Sequence, residues 1–245
     1  ETEEALGAIR ALLESDHSGE PAVVAGRYGR LIDAASELPV LHRHRYLEWP
    51  RIYYPGIELV ADCEVSTDTD RYLSDHAPFG VAVFPLVAAI EAMLCAAKVL
   101  QSNDAMPHLM NLRIGDAITL SSGERVVLRT SAQIRPDGVV IAELRSSRTE
   151  FEVAHFSTEF SWPISQPAGQ DHRIPETKQF PASATIYGGL CFHGPRFQRV
   201  SGFYEVSAVN CLAQLNALDR IRWFGPLQPA TLRGGDPTLR DAVLH

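Results

Sequence analysis

A long apolar run, Leu86 to Leu100, follows Pro85 and constrains the fold of this chain more than any other feature. Proline fits the first turn of a helix, and the run is too uniformly apolar for a helix with one face in water. The sequence therefore predicts a buried central helix. Glu91 lies inside this run, and a buried carboxylate is costly unless it is paired. We expect it to face a polar partner or solvent, and we assign it no catalytic role.

Bulk properties exclude some classes of protein. The longest apolar stretch, 77–97, contains two prolines and a glutamate, which argues against a membrane span. A formal net charge of -8 over 245 residues argues against non-specific nucleic-acid binding. The N-terminus begins with acidic residues, so no secretory signal is predicted. The cysteines are widely spaced without a C-x-x-C pair, and we expect reduced thiols, three of them buried, in a cytoplasmic protein. They are Cys63, Cys95, Cys191 and Cys211.

Most of the remaining periodic segments predict strands. Apolar and acidic residues alternate over 57–65, which is typical of a half-buried strand. Pro136-Asp137-Gly138 predicts a hairpin turn between two later strands. A long apolar helix followed by antiparallel strands indicates an α+β fold in which a curved sheet wraps around the helix. The later strands are expected at 109–114, 125–134, 139–144, 151–162, 203–206 and 211–215.

Proline-rich segments divide the chain into five predicted parts. Residues 1–29 resemble the last helix and strand of a preceding domain, residues 30–50 form a linker, and 51–165 form the first sheet-and-helix unit. Residues 166–182 form a second linker, and 183–245 form a second, incomplete unit. His42 and His44 are weighed as metal ligands, but they lack a partner at ligand spacing, and a solvated linker is favoured. We expect the chain to be part of a longer polypeptide and to expose apolar surface when isolated.

The strongest candidate for chemistry is His76, in the segment Asp75-His76-Ala77-Pro78-Phe79-Gly80 before the central helix. Gly80 lets a ligand approach the backbone N–H, and Pro85 fixes a helix start that favours developing negative charge. A histidine base beside such a backbone suits removal of a proton next to a carbonyl. The alternative is a hydrogen-bonded structural histidine.

Two further segments are candidates. Asp241 and His245 are four residues apart and share one face of a helix that Asp236 caps and Pro237 opens. A plain surface pair is the alternative for them. A turn-rich aromatic segment runs from Tyr187 to Gln198 and forms either an ordinary loop or the wall of a pocket.

Together these segments resemble the dehydratase domains of polyketide synthases and animal-type fatty acid synthases. His76, Gly80 and Pro85 match the motif H-x-x-x-G-x-x-x-x-P. His193-Gly194-Pro195-x-Phe197 matches the G-P-x-F segment, and Asp241-x-x-x-His245 matches D-x-x-x-Q/H in the same order. The resemblance covers about residues 46 to 245. Three segments look most like iterative bacterial synthases of the enediyne type: 53–59, Trp223-Phe224 and 240–245. In such synthases a ketoreductase precedes the dehydratase, and the resemblance implies that residues 1–29 are the C-terminal tail of that ketoreductase.

The resemblance implies a double hot-dog fold, with two antiparallel sheets each wrapped around a central helix, the second one incomplete. It implies that neutral His76 removes the C2 proton of a β-hydroxyacyl thioester and that protonated Asp241 assists loss of the hydroxyl group. His245 would orient Asp241, and N–H groups near Gly80 and after Pro85 would hold the thioester oxygen. The substrate tunnel would be lined by Tyr187, Phe192, His193, Gly194, Pro195, Phe197 and Gln198.

The resemblance also implies the surroundings of the reaction. The substrate would be carried on the phosphopantetheine arm of an acyl carrier protein, with neighbouring synthase domains in the same chain and a homodimeric assembly. Dehydration would need no metal and no nicotinamide. Many modular relatives have tyrosine where this chain has His193, which leaves the role of that position open. The alternatives are a product-template-like cyclase on the same fold and a non-catalytic docking module.

Overall fold

The computed structural model describes residues 44–162, 180–181, 186–187, 189–216, 223–224 and 232–244. All of them lie within one compact unit, Val40–His245. The predicted helix and strand before residue 29, His42 and His245 lie outside the described residues. The division into domains therefore stays a prediction.

The described residues form eleven strands and three α-helices. The strands are β1 (Trp49–Tyr54), β2 (Glu58–Val65), β3 (Ala82–Val83), β4 (His108–Ile114), β5 (Thr119–Leu120), β6 (Val126–Ile134), β7 (Val140–Ser146), β8 (Ala154–Ser161), β9 (Phe180–Pro181), β10 (Val200–Val206) and β11 (Cys211–Leu215). The helices are α1 (Tyr72–Asp75), α2 (Leu86–Gln101) and α3 (Pro237–Leu244), and short 3-10 turns lie at Pro78–Gly80 and Ser147–Thr149.

Six strands form one antiparallel sheet in the order β1-β2-β6-β7-β8-β4. Buried and less buried residues alternate along β6 and β7, as expected for strands with one face on a core. The predicted hairpin turn joins these two strands. Gly138 has a φ of 82°, and its N–H donates to the Arg135 carbonyl at 2.9 Å. Only glycine adopts such a φ without strain, which explains the turn signal in the sequence.

The apolar run is the central helix, α2, and this prediction is confirmed. The carbonyl of Pro85 accepts the N–H groups of Ala88 and Ala89, each at 3.1 Å, so the helix begins directly after the proline. The helix packs against β2, β6, β7 and β8 of the large sheet. Leu94 is 1% exposed and Ile90 8% exposed. A curved sheet around an apolar helix is the arrangement expected of a hot dog.

Replacing Leu94 by alanine tests this packing. Leu94 is buried in the core, so the substitution leaves a cavity and is expected to lower the free energy of unfolding by about 2–5 kcal/mol. Urea denaturation measures the loss. Leu190→Ala is the matched control, because Leu190 is 84% exposed and its loss is expected to cost less than about 0.5 kcal/mol. Equal losses for the two variants would contradict the buried helix.

Aromatic packing joins a later part of the chain to this core. Trp223 stacks on Tyr72 with ring centroids 4.4 Å apart and an interplanar angle of 10°. Phe224 meets Tyr72 edge to face at 6.0 Å, and Tyr46 does the same with Phe224 at 5.9 Å. Both residues of the Trp223-Phe224 pair are buried. The pair therefore packs a later part of the described chain against the aromatic residues Tyr46 and Tyr72 of the core.

A second, three-stranded antiparallel sheet has the order β11-β10-β9 and precedes α3. The start of α3 is as predicted: Asp236 accepts the N–H of Thr238 at 2.9 Å, and Pro237 is the first helical residue. A carboxylate in this position satisfies one of the N–H groups that have no partner within a helix.

Two details differ from the predictions. His44 is not solvated: its side chain is buried, and its Nε2 atom accepts from Arg233 Nη2 at 3.2 Å. All four cysteines are free thiols, but only Cys63 and Cys95 are buried, and Cys211 is exposed. Cys211 lies on the edge strand β11, where local hydropathy does not decide burial. Within the described residues, no helix is both long and apolar enough to cross a membrane.

Candidate active site

His76 follows α1 and is held through both its backbone and its side chain. Its N–H donates to the Leu73 carbonyl at 3.2 Å, and its carbonyl accepts the Val83 N–H at 3.0 Å. The ring atom Nδ1 lies 2.8 Å from the Val83 carbonyl oxygen. A carbonyl oxygen only accepts hydrogen bonds, so this contact assigns the proton to Nδ1 and leaves Nε2 of the neutral ring as an acceptor. The ring is therefore in the tautomer that a general base needs.

The structure corrects the role expected for Gly80. Its N–H donates to the Ala77 carbonyl at 3.1 Å, so this group closes a turn instead of facing a ligand. The glycine is required by its φ of 80°, which a side chain would strain. Pro85 has its expected place at the start of α2. The amides of Leu86 and Val87 come before the first helical hydrogen bonds, which start at Ala88.

The loop 189–199 docks onto Asp75, the residue before His76. The Gly194 N–H donates to the Asp75 carbonyl at 2.7 Å, and Arg196 Nη1 lies 2.5 Å from Asp75 Oδ2. A Cβ atom added at Gly194 would lie 2.8 Å from the Asp75 Cα atom, which no packed side chain tolerates. Glycine at 194 is therefore needed for the close approach of two backbones.

This docking places three aromatic side chains of the loop around His76. Ring centroids lie 5.0 Å from His76 for Phe192, 5.4 Å for His193 and 5.3 Å for Phe197. Phe192 also stacks on His193 at 4.2 Å. His193 and Phe197 are buried, whereas Phe192 is 45% exposed. Three of the predicted tunnel residues therefore surround the His76 ring.

The other predicted tunnel residues have structural contacts. The Tyr187 hydroxyl oxygen accepts the Val200 N–H at 2.9 Å. The Gln198 side-chain amide donates to the His193 carbonyl at 2.8 Å and so fixes the backbone of that histidine. Pro195 is exposed. Tyr187 and Gln198 therefore shape the loop that carries His193.

Gly194→Ala tests the docking of the loop. The new Cβ atom must displace the loop or Asp75, so we expect a loss of about 1–3 kcal/mol in the free energy of unfolding, together with reduced activity. Gly115→Ala is the control, because its Cβ atom would meet the Ala154 carbonyl oxygen at 3.0 Å but lies outside the site. Both variants are measured by urea denaturation and turnover. Wild-type stability and turnover in Gly194→Ala would refute this contact.

Asp241 is carried by α3, whose N-terminus is fixed by a buried arginine. Arg199 Nη2 lies 2.7 Å from Asp236 Oδ2, and Arg199 Nε donates to the Thr238 hydroxyl at 2.5 Å. Burial lowers the pKa of the Arg199 guanidinium, and the Asp236 carboxylate opposes this effect. Asp241 is 6% exposed, one turn further along the helix. The helix thus presents the carboxyl group from a fixed position.

His76, His193 and Asp241 converge in one place. Each offers one nitrogen or oxygen atom, and these atoms all lie within 4.8 Å of one another. His193 Nε2 is 3.3 Å from Asp241 Oδ2. The set could ligate a metal ion, and it also places two imidazole rings within reach of a buried carboxyl group. Opposed protonation states at such a distance are what paired acid and base catalysis requires.

Sequence reasoning did not assign several of the residues that hold this site together. Asp75 and Arg196 dock the loop, and Arg199 fixes the start of α3. Glu91 is buried and binds the segment before α3. The position of Asp75 beside His76 was a usable signal, but the contacts of the others cross 37 residues or more and leave no local pattern.

Residues 55–147 match the family model described as the polyketide synthase dehydratase domain. Among curated proteins, no match was found. Solved structures share the fold. The dehydratase domain from the terminal module of the rifamycin polyketide synthase is 21% identical, with a TM-score of 0.64 over 87% of this chain and 79% of that domain.

Two dehydratase domains of the curacin polyketide synthase are also similar. The first is 16% identical with a TM-score of 0.56, covering 66% of this chain and 62% of that domain, so this chain spans less than two thirds of it. The second, 14% identical over 66% of this chain and 61% of that domain, was solved as two inactive variants. One variant replaces an aspartate by asparagine (TM-score 0.56), and the other replaces a histidine by phenylalanine (TM-score 0.55).

The antiparallel sheet around a central helix is therefore the hot-dog fold of the solved dehydratase domains. Those domains are hydro-lyases. The family match adds sequence evidence over residues 55–147, which include His76, Gly80, Pro85 and the whole of α2. Residues 55–147 match the sequence model of the polyketide synthase dehydratase domain, and they lie within a chain that has the hot-dog fold.

Proposed function

We propose that this chain removes water from a β-hydroxyacyl thioester to give an α,β-unsaturated thioester during polyketide assembly. The observation that carries the proposal is the convergence of His76, His193 and Asp241 within 4.8 Å, beside the matched dehydratase segment. The carbonyl of the thioester makes the C2 proton acidic, and the β-hydroxyl group leaves only when a proton reaches it. One base and one acid on opposite sides of the same substrate satisfy both needs.

His76 acts as the base in this proposal. Its Nδ1–H is held by the Val83 carbonyl, so Nε2 takes the C2 proton. Negative charge then develops on the thioester oxygen. The amides at the start of α2, after Pro85, are the groups that would hold it, since the N–H of Gly80 is used within its own turn.

Asp241 acts as the acid in this proposal. Its carboxyl group is buried and lies 3.3 Å from His193 Nε2, so the two side chains can share one proton. Transfer of a proton from Asp241 to the β-hydroxyl group makes it leave as water. After product release a proton passes from His76 back to Asp241, so both groups regain their starting protonation states. The inactive aspartate and histidine variants of the curacin dehydratase support a reaction that depends on these two residue types.

The same proposal covers the carrier of the substrate, the type of synthase and the assembly. The acyl chain is delivered on the phosphopantetheine arm of an acyl carrier protein, and dehydration itself uses no cofactor. The segment 53–59, Trp223-Phe224 and the residues around Asp241 support an iterative bacterial synthase of the enediyne type. We further propose a cytoplasmic homodimer that works with neighbouring synthase domains, among them a ketoreductase before this region.

Incubation of the protein with a β-hydroxyacyl pantetheine thioester tests the function. We expect an enoyl product that is lighter by one water, detected by mass spectrometry, and its absence with the His76→Phe variant. A cyclase would instead yield a ring-closed product from a poly-β-ketone thioester and no enoyl product from the hydroxyacyl thioester. A docking module would yield neither, and either of these results would overturn the proposal.

A further inference from the structure

Glu91 is a charged residue in the middle of the apolar helix α2, and it is fully buried. Its carboxylate accepts two successive backbone N–H groups. The Arg233 N–H donates to Oε1, and the Gly234 N–H donates to Oε2 at 3.0 Å. Arg240 Nη2 lies 3.5 Å from Oε2. These three partners belong to the segment that leads into and forms α3, and within α2 the Cys95 thiol also donates to Oε1 at 3.6 Å.

Lys98 holds the same segment from two turns further along α2. Its Nζ donates to the Arg233 carbonyl at 2.9 Å and to the Asp104 carbonyl at 2.8 Å. Burial lowers the pKa of Lys98, while Asp104 and Glu91 raise it. Glu91 therefore accepts hydrogen bonds from the N–H groups of residues 233 and 234, and Lys98 donates one to a carbonyl of the same turn. The two charged residues of α2 therefore both bind the backbone immediately before α3.

The turn before α3 has a glycine, Gly234, where its backbone approaches Glu91. A Cβ atom at Gly234 would clash with the Arg240 guanidinium and lie 2.7 Å from Glu91 Oε2, so a side chain there would displace one or both of these charged groups. Arg240 also donates to the Gly234 carbonyl, which closes the turn onto α3. Arg240 directly precedes Asp241 in the sequence. Any shift of the Glu91 contact is thus passed to the neighbour of the proposed acid.

We infer that Glu91 is a positioning residue for Asp241. A buried carboxylate is costly unless all its partners are in place, so α3 is held in the one position that satisfies Glu91. The central helix begins ten residues after His76 and is joined to it through β3. One rigid helix therefore fixes the distance between the base on its N-terminal side and the acid on α3. This inference rests on the proposed function, because it concerns the geometry of that reaction.

Glu91→Gln tests the inference in the full chain. Glutamine has the same shape but no charge. Its carbonyl oxygen still accepts a backbone N–H, but its NH₂ group can neither accept the second N–H nor pair with Arg240. We expect kcat to fall at least about 10-fold with KM changed less than roughly twofold, because a shift of the acid affects the chemical step more than binding. Hydrogen exchange of the α3 amides, residues 237–244, is expected to become faster.

Glu48→Gln is the matched control. Glu48 lies 2.7 Å from Arg45 in a half-buried ion pair outside the site, so its loss lowers stability without touching α3. It is expected to leave kcat and the exchange of the α3 amides unchanged. A double-mutant cycle of Glu91→Gln with Arg240→Gln should give effects on kcat that are not additive, because the two residues act through one contact.

The outcomes separate the two claims. A wild-type protein that forms no enoyl product overturns the proposed function, whatever α3 does. Wild-type exchange of the α3 amides in Glu91→Gln overturns the positioning role, whatever the activity is. A purely structural Glu91 would lower stability and leave kcat of the folded protein like that of Glu48→Gln, and this result also overturns the inference.

Discussion

Replacement of His76 by phenylalanine is expected to abolish dehydration, with a loss in rate on the order of 10²-fold or more, while the fold stays intact. The loss follows because the Val83 carbonyl fixes the His76 tautomer that accepts at Nε2, whereas Nε2 of the neighbouring His193 faces Asp241. The fold should survive because phenylalanine fits among the rings of Phe192 and Phe197, at a cost of about 1 kcal/mol for the lost hydrogen bond. Single-turnover kinetics and thermal unfolding measure the two effects.

His108→Phe is the control for this variant, because His108 is exposed on the edge strand β4 and should tolerate the change in both measurements. A folded His76→Phe protein with wild-type turnover would show that His76 is not the base. A variant that unfolds would show instead that the histidine is structural.

Replacement of Asp241 by asparagine is expected to give a folded protein that is also slower by about 10²-fold or more. Asparagine is nearly isosteric and can keep a contact with His193, but it has no acidic proton for the leaving hydroxyl group. Turnover of the β-hydroxyacyl thioester and the pH dependence of the rate measure the effect.

Asp62→Asn is the matched control, since Asp62 is a buried aspartate that pairs with Arg51 and Arg129 in the sheet. That variant should lose stability and keep the turnover of its folded fraction. If Asp241→Asn loses much less rate than His76→Phe, then His245 or a water molecule is the better candidate for the acid.

Local patterns were sufficient for the parts of the fold that depend on neighbouring residues. The apolar run after Pro85 predicted α2, Pro136-Asp137-Gly138 predicted the hairpin, and Asp236-Pro237 predicted the start of α3. In each case a single local property decides the outcome: apolar residues on all sides, a positive φ, or a capping carboxylate.

The contacts that assemble the site could not be predicted in this way. Glu91 meets Gly234 across 143 residues, and Asp75 meets Arg196 across 121. Periodicity gives the face of an element but not its distant partner, so a lone acidic residue in an apolar helix predicts only that a partner exists. The same limit explains His44, a buried residue whose partner Arg233 lies 189 residues further along the chain. The approach of His76 and Asp241 was expected from the family resemblance alone.

The most direct test of the central claim, that His76 and Asp241 act together on one substrate, is the rate of the His76→Phe/Asp241→Asn double variant. Single-turnover formation of the enoyl thioester is compared among wild type, both single variants and the double variant, all shown to be folded. Groups that act as a unit are strongly non-additive, so the double variant is expected to be about as slow as the slower single variant. If the fold-loss in rate of the double variant instead equals the product of the two single losses, the residues act independently, and this result would contradict the account.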